Sequence, residues 1–208
     1  MMPEFEEKPR LVWEGFDSNW HEGQAEAVKR VVLWSRVCLE RRAGWTIVLS
    51  GKPGCGKTAL ANVIGRYFRY YEGLTESEVK VIDEPTLFER LWTASKLQEI
   101  TSCQRARLLV LDDVGTAHIN STSWAASIYW QLFNQRHERG RATFLTTNLE
   151  RGDFAQLVGG RCWSRLVDGM RTRDFFIDLA DLGVPDYRSQ SFYQTSLDDL
   201  LNQGAFDV

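Results

Sequence analysis

Residues 45–58 constrain this chain more than any other stretch: the apolar run Trp45-Thr46-Ile47-Val48-Leu49-Ser50 passes without a break into Gly51-Lys52-Pro53-Gly54-Cys55-Gly56-Lys57-Thr58. The second half matches the Walker A pattern in full and reads as a phosphate-binding loop between a strand and a helix. Its glycines let the backbone curl so that successive N–H groups face phosphate oxygens. Lys57 supplies a cation to the β- and γ-phosphates, and Thr58 a hydroxyl to Mg²⁺. The helix that follows begins at Ala59, completes the phosphate-binding set Gly51 to Ala59, and points the positive end of its dipole at the nucleotide. Strand, loop and helix in this order are hard to reconcile with a mere surface turn.

The rest of the chain supplies the other layers of an α/β fold. Apolar residues recur at near-helical spacing from Glu22 to Arg41 and predict a helix before the Walker A strand. The Walker A helix is expected to end near Tyr70, followed by a polar loop and a strand over Val79-Lys80-Val81-Ile82-Asp83. Pro85 then opens a predicted helix in which Leu87, Phe88, Leu91, Trp92 and Ser95 share a face, continuing to about Ile100. Leu108-Leu109-Val110-Leu111-Asp112-Asp113 has the form of a buried parallel strand delivering carboxylates at its C-terminal end, the Walker B position. Asp112 is placed to hold Mg²⁺ beside Thr58, and Asp113 to orient or deprotonate the attacking water.

A helix from Ser121 to Arg139, with Ser121, Thr122 or Ser123 as N-cap, leads to the strand Ala142-Thr143-Phe144-Leu145-Thr146-Thr147. That strand ends at Asn148, an amide able to sense the γ-phosphate and the water. The basic end of the helix, Arg136-His137-Glu138-Arg139-Gly140-Arg141, serves equally as favourable charge on the helix dipole or as a contact with a neighbour or DNA. A last strand falls near Phe175-Phe176-Ile177-Asp178-Leu179. The expected organisation is an N-terminal arm over 1–20, with Trp13, Phe16 and Trp20 as anchors, a nucleotide-binding domain over 21–188, and an acidic tail over 189–208.

With 208 residues, 43% of them hydrophobic, the chain can bury one core and leaves little room for a second domain. A net charge of −3 argues against a surface coated in basic residues, although a local basic patch remains compatible with it. Cys38, Cys55, Cys103 and Cys162 show neither CxxC pairing nor metal-ligand spacing, which indicates a reducing compartment. No signal-peptide layout or membrane-length apolar run is present, so a cytoplasmic location is expected. The eight tryptophans read as core packing and helix-face anchors.

The order of motifs narrows the family. Leu-Leu-Val-Leu-Asp-Asp-Val-Gly at 108–115, Ser-Thr-Ser-Trp at 121–124, Leu-Phe-Asn-Gln-Arg at 132–136 and Thr-Phe-Leu-Thr-Thr-Asn-Leu at 143–149 resemble the AAA+ ATPases of the helicase-loader branch. That branch holds the DnaC/DnaI-type loaders and their relative IstB, the ATPase partner of certain transposases. The likeness spans about residues 13–188 and implies a P-loop NTPase fold with a central parallel β-sheet flanked by α-helices. It also implies ATP and Mg²⁺ as cofactors, Asn148 as sensor 1 and Arg188 of the Tyr-Arg pair as sensor 2. Arg165 would be a finger on the ATP of an adjacent protomer, with Arg161 as its runner-up. A finger given across an interface ties hydrolysis to assembly, so an isolated monomer is expected to hydrolyse ATP slowly.

The implied function is loading of a replicative helicase onto single-stranded DNA by ATP-bridged oligomers. A transposition role on duplex DNA with a transposase partner, and a nucleotide-gated interaction module with little hydrolysis, stand as alternatives; a metabolite kinase would leave Asp113, Asn148 and the late arginines without roles. DNA binding by a chain of this charge would need oligomers in which Arg136, Arg139 and Arg141 line up. Two features depart from the family. Members usually carry Asp-Glu where this chain has Asp112-Asp113, which implies weaker turnover. Loaders of this type also often have an extra N-terminal domain, whereas about twenty residues precede the first helix here. The partner-binding element is then expected in the arm or tail, or the chain is a reduced loader of a phage or mobile element.

Overall fold

The computed structural model describes residues 21–40, 44–92, 96–117, 122–171 and 175–187. The expected arm, the tail and Arg188 lie outside them. The elements are α1 (Glu22–Glu40), β1 (Thr46–Ser50), α2 (Lys57–Glu72), β2 (Val79–Asp83), α3 (Glu84–Trp92), α4 (Lys96–Arg105), β3 (Leu108–Val114), α5 (Thr122–Glu138), β4 (Ala142–Thr147), α6 (Arg151–Val158), α7 (Gly160–Met170) and β5 (Phe176–Asp178). The five strands form one sheet in the order β2-β3-β4-β1-β5, and every neighbouring pair is parallel. The α/β fold expected from the sequence is therefore present. Every residue of β1 and β4 is buried, as befits central strands covered on both faces.

The two covering layers can be traced through single contacts. On one face Trp34 of α1 packs against Phe68 of α2 and Phe144 of β4, with ring centroids 5.9 and 5.7 Å apart. On the other, Arg136 of α5 donates to the Thr143 hydroxyl at 3.0 Å, and Gly169 of α7 lies close against Thr46. Local chemistry sets the element ends. Asp83 is the N-cap of α3, its Oδ1 accepting the Thr86 N–H at 2.8 Å, which starts the helix one residue before Pro85. Gly73, at φ 61°, stops α2 in the left-handed conformation.

Three expectations need correction. The single helix predicted from Pro85 to about Ile100 is two helices, α3 and α4, so the apolar spacing over this stretch belongs to two separate faces. Trp92 does not share the buried face of Leu87, Phe88 and Leu91: it is 72% exposed and stacks on Trp124 of α5, centroid to centroid 4.7 Å. Arg136 is not a surface cation. It is 1% exposed, and its guanidinium donates to the carbonyl oxygens of Cys103, Ala106 and Ala142 as well as to Thr143. Two of those carbonyls close the C-terminal end of α4, so the charge caps a helix end that would otherwise leave buried acceptors unmet. Burial pulls the Arg136 pKa down to about 9 and still leaves it cationic near neutrality.

All four cysteines are free and buried, and burial raises each thiol above its usual range. No helix among the described residues is long and apolar enough to cross a membrane.

Candidate functional site

Because all strands run parallel, the C-terminal ends of β1, β3 and β4 meet at one edge of the sheet, with β4 in the middle. The Walker A loop leaves β1, the two acids close β3, and Asn148 follows β4. The loop is tied into this edge at its first residue, where the Gly51 N–H donates to Thr147 O at 3.3 Å.

Within the loop, Gly54 and Gly56 take φ of 82° and 87°, a region that side chains rarely adopt. Gly56 caps α2 without a side-chain hydrogen bond, and the first helical bond is Leu60 N–H to Gly56 O at 3.0 Å. The amides of Lys57, Thr58 and Ala59 thus lie in the first turn, where no intrahelical acceptor exists. Lys57 is 5% exposed and folds back into the loop, its Nζ donating to Gly51 O at 2.7 Å and Lys52 O at 2.9 Å. The Cys55 thiol donates to the same Lys52 carbonyl at 2.8 Å. Burial pushes that thiol up against the pull of the Lys57 ammonium, so it stays neutral. A buried ammonium held by two neutral carbonyls and the Cys55 sulfur, with no carboxylate among them, is poised to exchange these partners for phosphate oxygens. Thr58 is exposed at the start of α2, where a metal bound beside a triphosphate would meet its hydroxyl. These features fit ATP with Mg²⁺, and Thr58 and Asp112 are the residues that would hold the ion.

The acids are organised by β4. The Thr146 hydroxyl donates to Asp112 Oδ1 and accepts the Asp113 N–H at 2.9 Å, so one side chain fixes both acidic residues. Asp112 is 7% exposed. The pairing of β3 with β4 shifts between Leu111 and Val114, and Asp113 stands in that irregularity with φ 56°, an uncommon conformation for a residue with a Cβ. Backbone strain of this kind clusters where a side chain has to be aimed. Thr147 continues the pattern, donating to Val114 O at 2.7 Å and accepting the Leu149 N–H at 3.1 Å. Ser50 of β1 donates to Leu149 O at 2.7 Å. Asn148 is exposed between these anchored neighbours.

Three further contacts escaped the sequence reading. Glu84, at the start of α3, is fully buried and holds the loop that follows the acids. The chain after β5 returns to the Walker A loop, where the Tyr187 N–H donates to Gly54 O at 3.1 Å and the Asp186 carboxylate lies so close that a Cβ at position 54 would meet it at 1.7 Å. Gln24 of α1, 3% exposed, faces Gly56 in the same way, its Nε2 lying 2.8 Å from where a Cβ would stand. Paired Thr146-Thr147 beside Asn148, and an acid directly after β2, were the available signals for the hydroxyl and Glu84 networks.

Arg161 and Arg165 lie one turn apart on α7, both exposed. Arg161 lines a hollow with Ala126, Trp130 and the Gly159-Gly160 turn, and Arg165 is farther along the helix. The described residues thus bring the Walker A loop, Asp112, Asp113 and Asn148 to one edge and leave the two α7 arginines facing outward.

A family model for IstB-like ATP binding proteins matches residues 17–170. The chain belongs to that family. Among its relatives is the replicative helicase loader DnaC of Buchnera aphidicola subsp. Acyrthosiphon pisum (strain APS), 26% identical over 158 residues. The same loader of Buchnera aphidicola subsp. Schizaphis graminum (strain Sg) is 25% identical. Both alignments take in 73% of this chain and 59% of the relative, so this IstB-like chain spans about three-fifths of the length of the curated relatives it matches. In fold it is similar to the crystal structure of DnaI, with a TM-score of 0.62 at 19% identity over 86% of this chain and 94% of the other. The crystal structure of the DnaC helicase loader gives 0.56 at 23% identity over 69% of this chain and 86% of that one.

Proposed function

We propose that this chain is an ATP-dependent helicase loader of DNA replication, acting in the cytoplasm as ATP-bridged oligomers on a replicative helicase and single-stranded DNA. The observation that carries the reading is the joint edge of β1, β4 and β3, which carries both the Walker A loop and the Thr146-anchored acids. The likeness to loaders named DnaC supports the choice of partner.

In this reading the loop amides and Lys57 bind the triphosphate, while Thr58 and Asp112 hold Mg²⁺, which when bound neutralises charge on the phosphate oxygens. Asp113 and Asn148 position the water. Arg165 reaches the nucleotide of the adjacent protomer, and its outward position on α7 supports donation across an interface. Arg188 acts as sensor 2; the residue before it in sequence, Tyr187, donates its N–H to Gly54 O. With Arg136 internal, DNA phosphates are left to surface cations such as Arg139 and the half-buried Arg141. ATP stabilises the assembled state and hydrolysis releases it.

The match to the IstB-like family model favours a second reading, a transposition ATPase that assembles on duplex DNA. One experiment separates them: ATP hydrolysis against protein concentration with single- or double-stranded DNA, for wild type, Arg165→Ala and Asp113→Ala. A rate per subunit that rises with concentration and with single strands, and that Arg165→Ala abolishes while ATP still binds, is expected for the loader. Preference for duplex transfers the assignment to transposition. Negligible turnover with good ATP binding leaves a nucleotide-gated module. ATP-dependent DNA binding that ignores ionic strength refutes the phosphate contacts.

A further inference from the structure

Glu84 sits at the junction of β2 and α3, one residue past Asp83, whose strand partner is Asp112. It is 0% exposed, in a position where an apolar side chain would satisfy packing without taking a carboxylate out of water. Its oxygens are spent on the loop after the acid pair. The Gly115 N–H donates to both, at 3.0 and 2.9 Å, the Ala117 N–H donates to Oε2 at 3.0 Å, and the Tyr129 hydroxyl of α5 donates to Oε1. Between those two amides, Thr116 turns back and donates to Asp113 O through its N–H at 3.2 Å and its hydroxyl at 2.7 Å.

Asp113 is therefore held from both sides. Thr146 takes its N–H, Thr116 fixes its carbonyl, and Glu84 fixes the residues on either side of Thr116. A left-handed φ of 56° persists at a non-glycine residue only where its surroundings over-determine it. The same clamp sets a second distance. Gly115, at φ 91°, lies so close to Leu149 that a Cβ there would stand 2.7 Å from Leu149 Cδ1, and Leu149 follows Asn148. Aspartate is one methylene shorter than glutamate, so its reach to a water depends more on where the backbone stands.

We propose that Glu84 is a positioning residue for ATP hydrolysis: by holding the amides of Gly115 and Ala117 it fixes the backbone that presents Asp113, and the spacing of Asp113 from Asn148. This rests on the reading that the site hydrolyses ATP. The carboxylate matters because it is a double acceptor facing only donors. In Glu84→Met the bulk of the side chain is kept but no acceptor faces the amides, so all three bonds from Gly115 and Ala117 are lost; glutamine would not serve, because its NH₂ group can donate to the Tyr129 hydroxyl while its oxygen keeps Gly115 and Ala117. Tyr129→Phe removes a buried partner of Glu84 yet leaves all three amide bonds.

The test compares wild type, Glu84→Met and Tyr129→Phe by binding of a fluorescent ATP analogue, by kcat at saturating protein and DNA, and by amide exchange over residues 113–117. For Glu84→Met, nucleotide affinity is expected to stay within about twofold while kcat falls about tenfold or more, because displacement of a reacting group by a fraction of an ångström acts on the chemical step. Exchange over 113–117 quickens while β1 and β4 stay protected. Tyr129→Phe, which loses stability without losing the clamp, keeps kcat within about threefold. Wild-type kcat in Glu84→Met, or an equal fall in Tyr129→Phe, overturns the proposal and leaves Glu84 a stabilising residue. If wild type hydrolyses no ATP under any condition, the hydrolysis reading fails by itself. The exchange data then decide the clamp: unchanged protection over 113–117 in Glu84→Met refutes it, and selective loss supports it.

Discussion

Replacing Arg136 by methionine tests whether the cation in the Leu-Phe-Asn-Gln-Arg segment belongs to the interior or to a DNA-binding face. Its guanidinium holds three main-chain carbonyls, of Cys103, Ala106 and Ala142, and the Thr143 hydroxyl, linking α5 to the end of α4 and the start of β4. Methionine matches the stem and supplies no donor. Each buried carbonyl left without a partner costs about 1–3 kcal/mol, and this is partly offset because a charge no longer has to be desolvated. The net expected loss is about 3 kcal/mol, a large part of the stability of a domain this size.

Urea unfolding should therefore show a clearly lower midpoint with an unchanged slope. Below the transition, the variant should bind DNA with the same dependence on salt as wild type, because a residue 1% exposed has no phosphate to release counterions from. Arg139→Ala, an exposed neighbour, should do the opposite, lowering the salt slope and leaving stability within about 0.5 kcal/mol. A destabilisation of Arg136→Met below about 1 kcal/mol, or a salt slope that falls with it, refutes the capping argument.

Other perturbations address the nucleotide edge and the outer sheet. Lys57→Ala removes the ammonium that bridges Gly51 and Lys52 within the loop and is expected to weaken ATP binding by about tenfold or more, measured by titration of a fluorescent analogue. Thr146→Val deletes the donor to Asp112 and the acceptor of the Asp113 N–H; it should cost about 2–3 kcal/mol in urea unfolding and lower kcat more than nucleotide affinity. Glu99 is pushed up by burial but held below 4.5 overall by Lys80 at 2.8 Å and Arg90 at 3.3 Å. Its stabilisation is then complete above that value and lost as pH falls through the lower folded one, so Glu99→Gln should remove about 1 kcal/mol of the stability lost by wild type between about pH 6 and about pH 3.

What the sequence displayed was whatever covalent spacing enforces. The Walker A loop, the acids after four apolar residues and the amide after β4 are each set by local sequence, and each landed near a strand's C-terminal end, the loop and the amide just past β1 and β4 and the acids in the last three residues of β3. The contacts that organise those residues are distant in sequence. Tyr129 is 45 positions from Glu84, and an acid at the start of a helix ordinarily signals only favourable dipole charge. Arg136 misled for a related reason: a basic residue in the last turn of a helix is by default a solvated one, and only the tertiary position of α4 supplies the carbonyls that draw it inward. The break between α3 and α4 was hidden because both helices carry apolar faces whose spacings nearly coincide.

The strand order explains why hydroxyls of β4 dominate the site. Had β3 lain beside β1, the acids would border the Walker A loop directly and no third strand could adjust them. With β4 between, the Gly51 amide reaches Thr147 O, the Thr147 hydroxyl reaches Val114 O, and the Thr146 hydroxyl reaches the acids, so phosphate loop and acid pair share one intermediary. Asn148 extends from that intermediary. Any change in the loop's position on nucleotide binding acts first on the Gly51–Thr147 bond, and from there on the neighbouring hydroxyls of the same strand. Glu84 holds the far side of the acid pair, so the pair lies between a strand that meets the nucleotide loop and a helix that does not. The distance between the two supports would then matter more to turnover than any single bond at the edge.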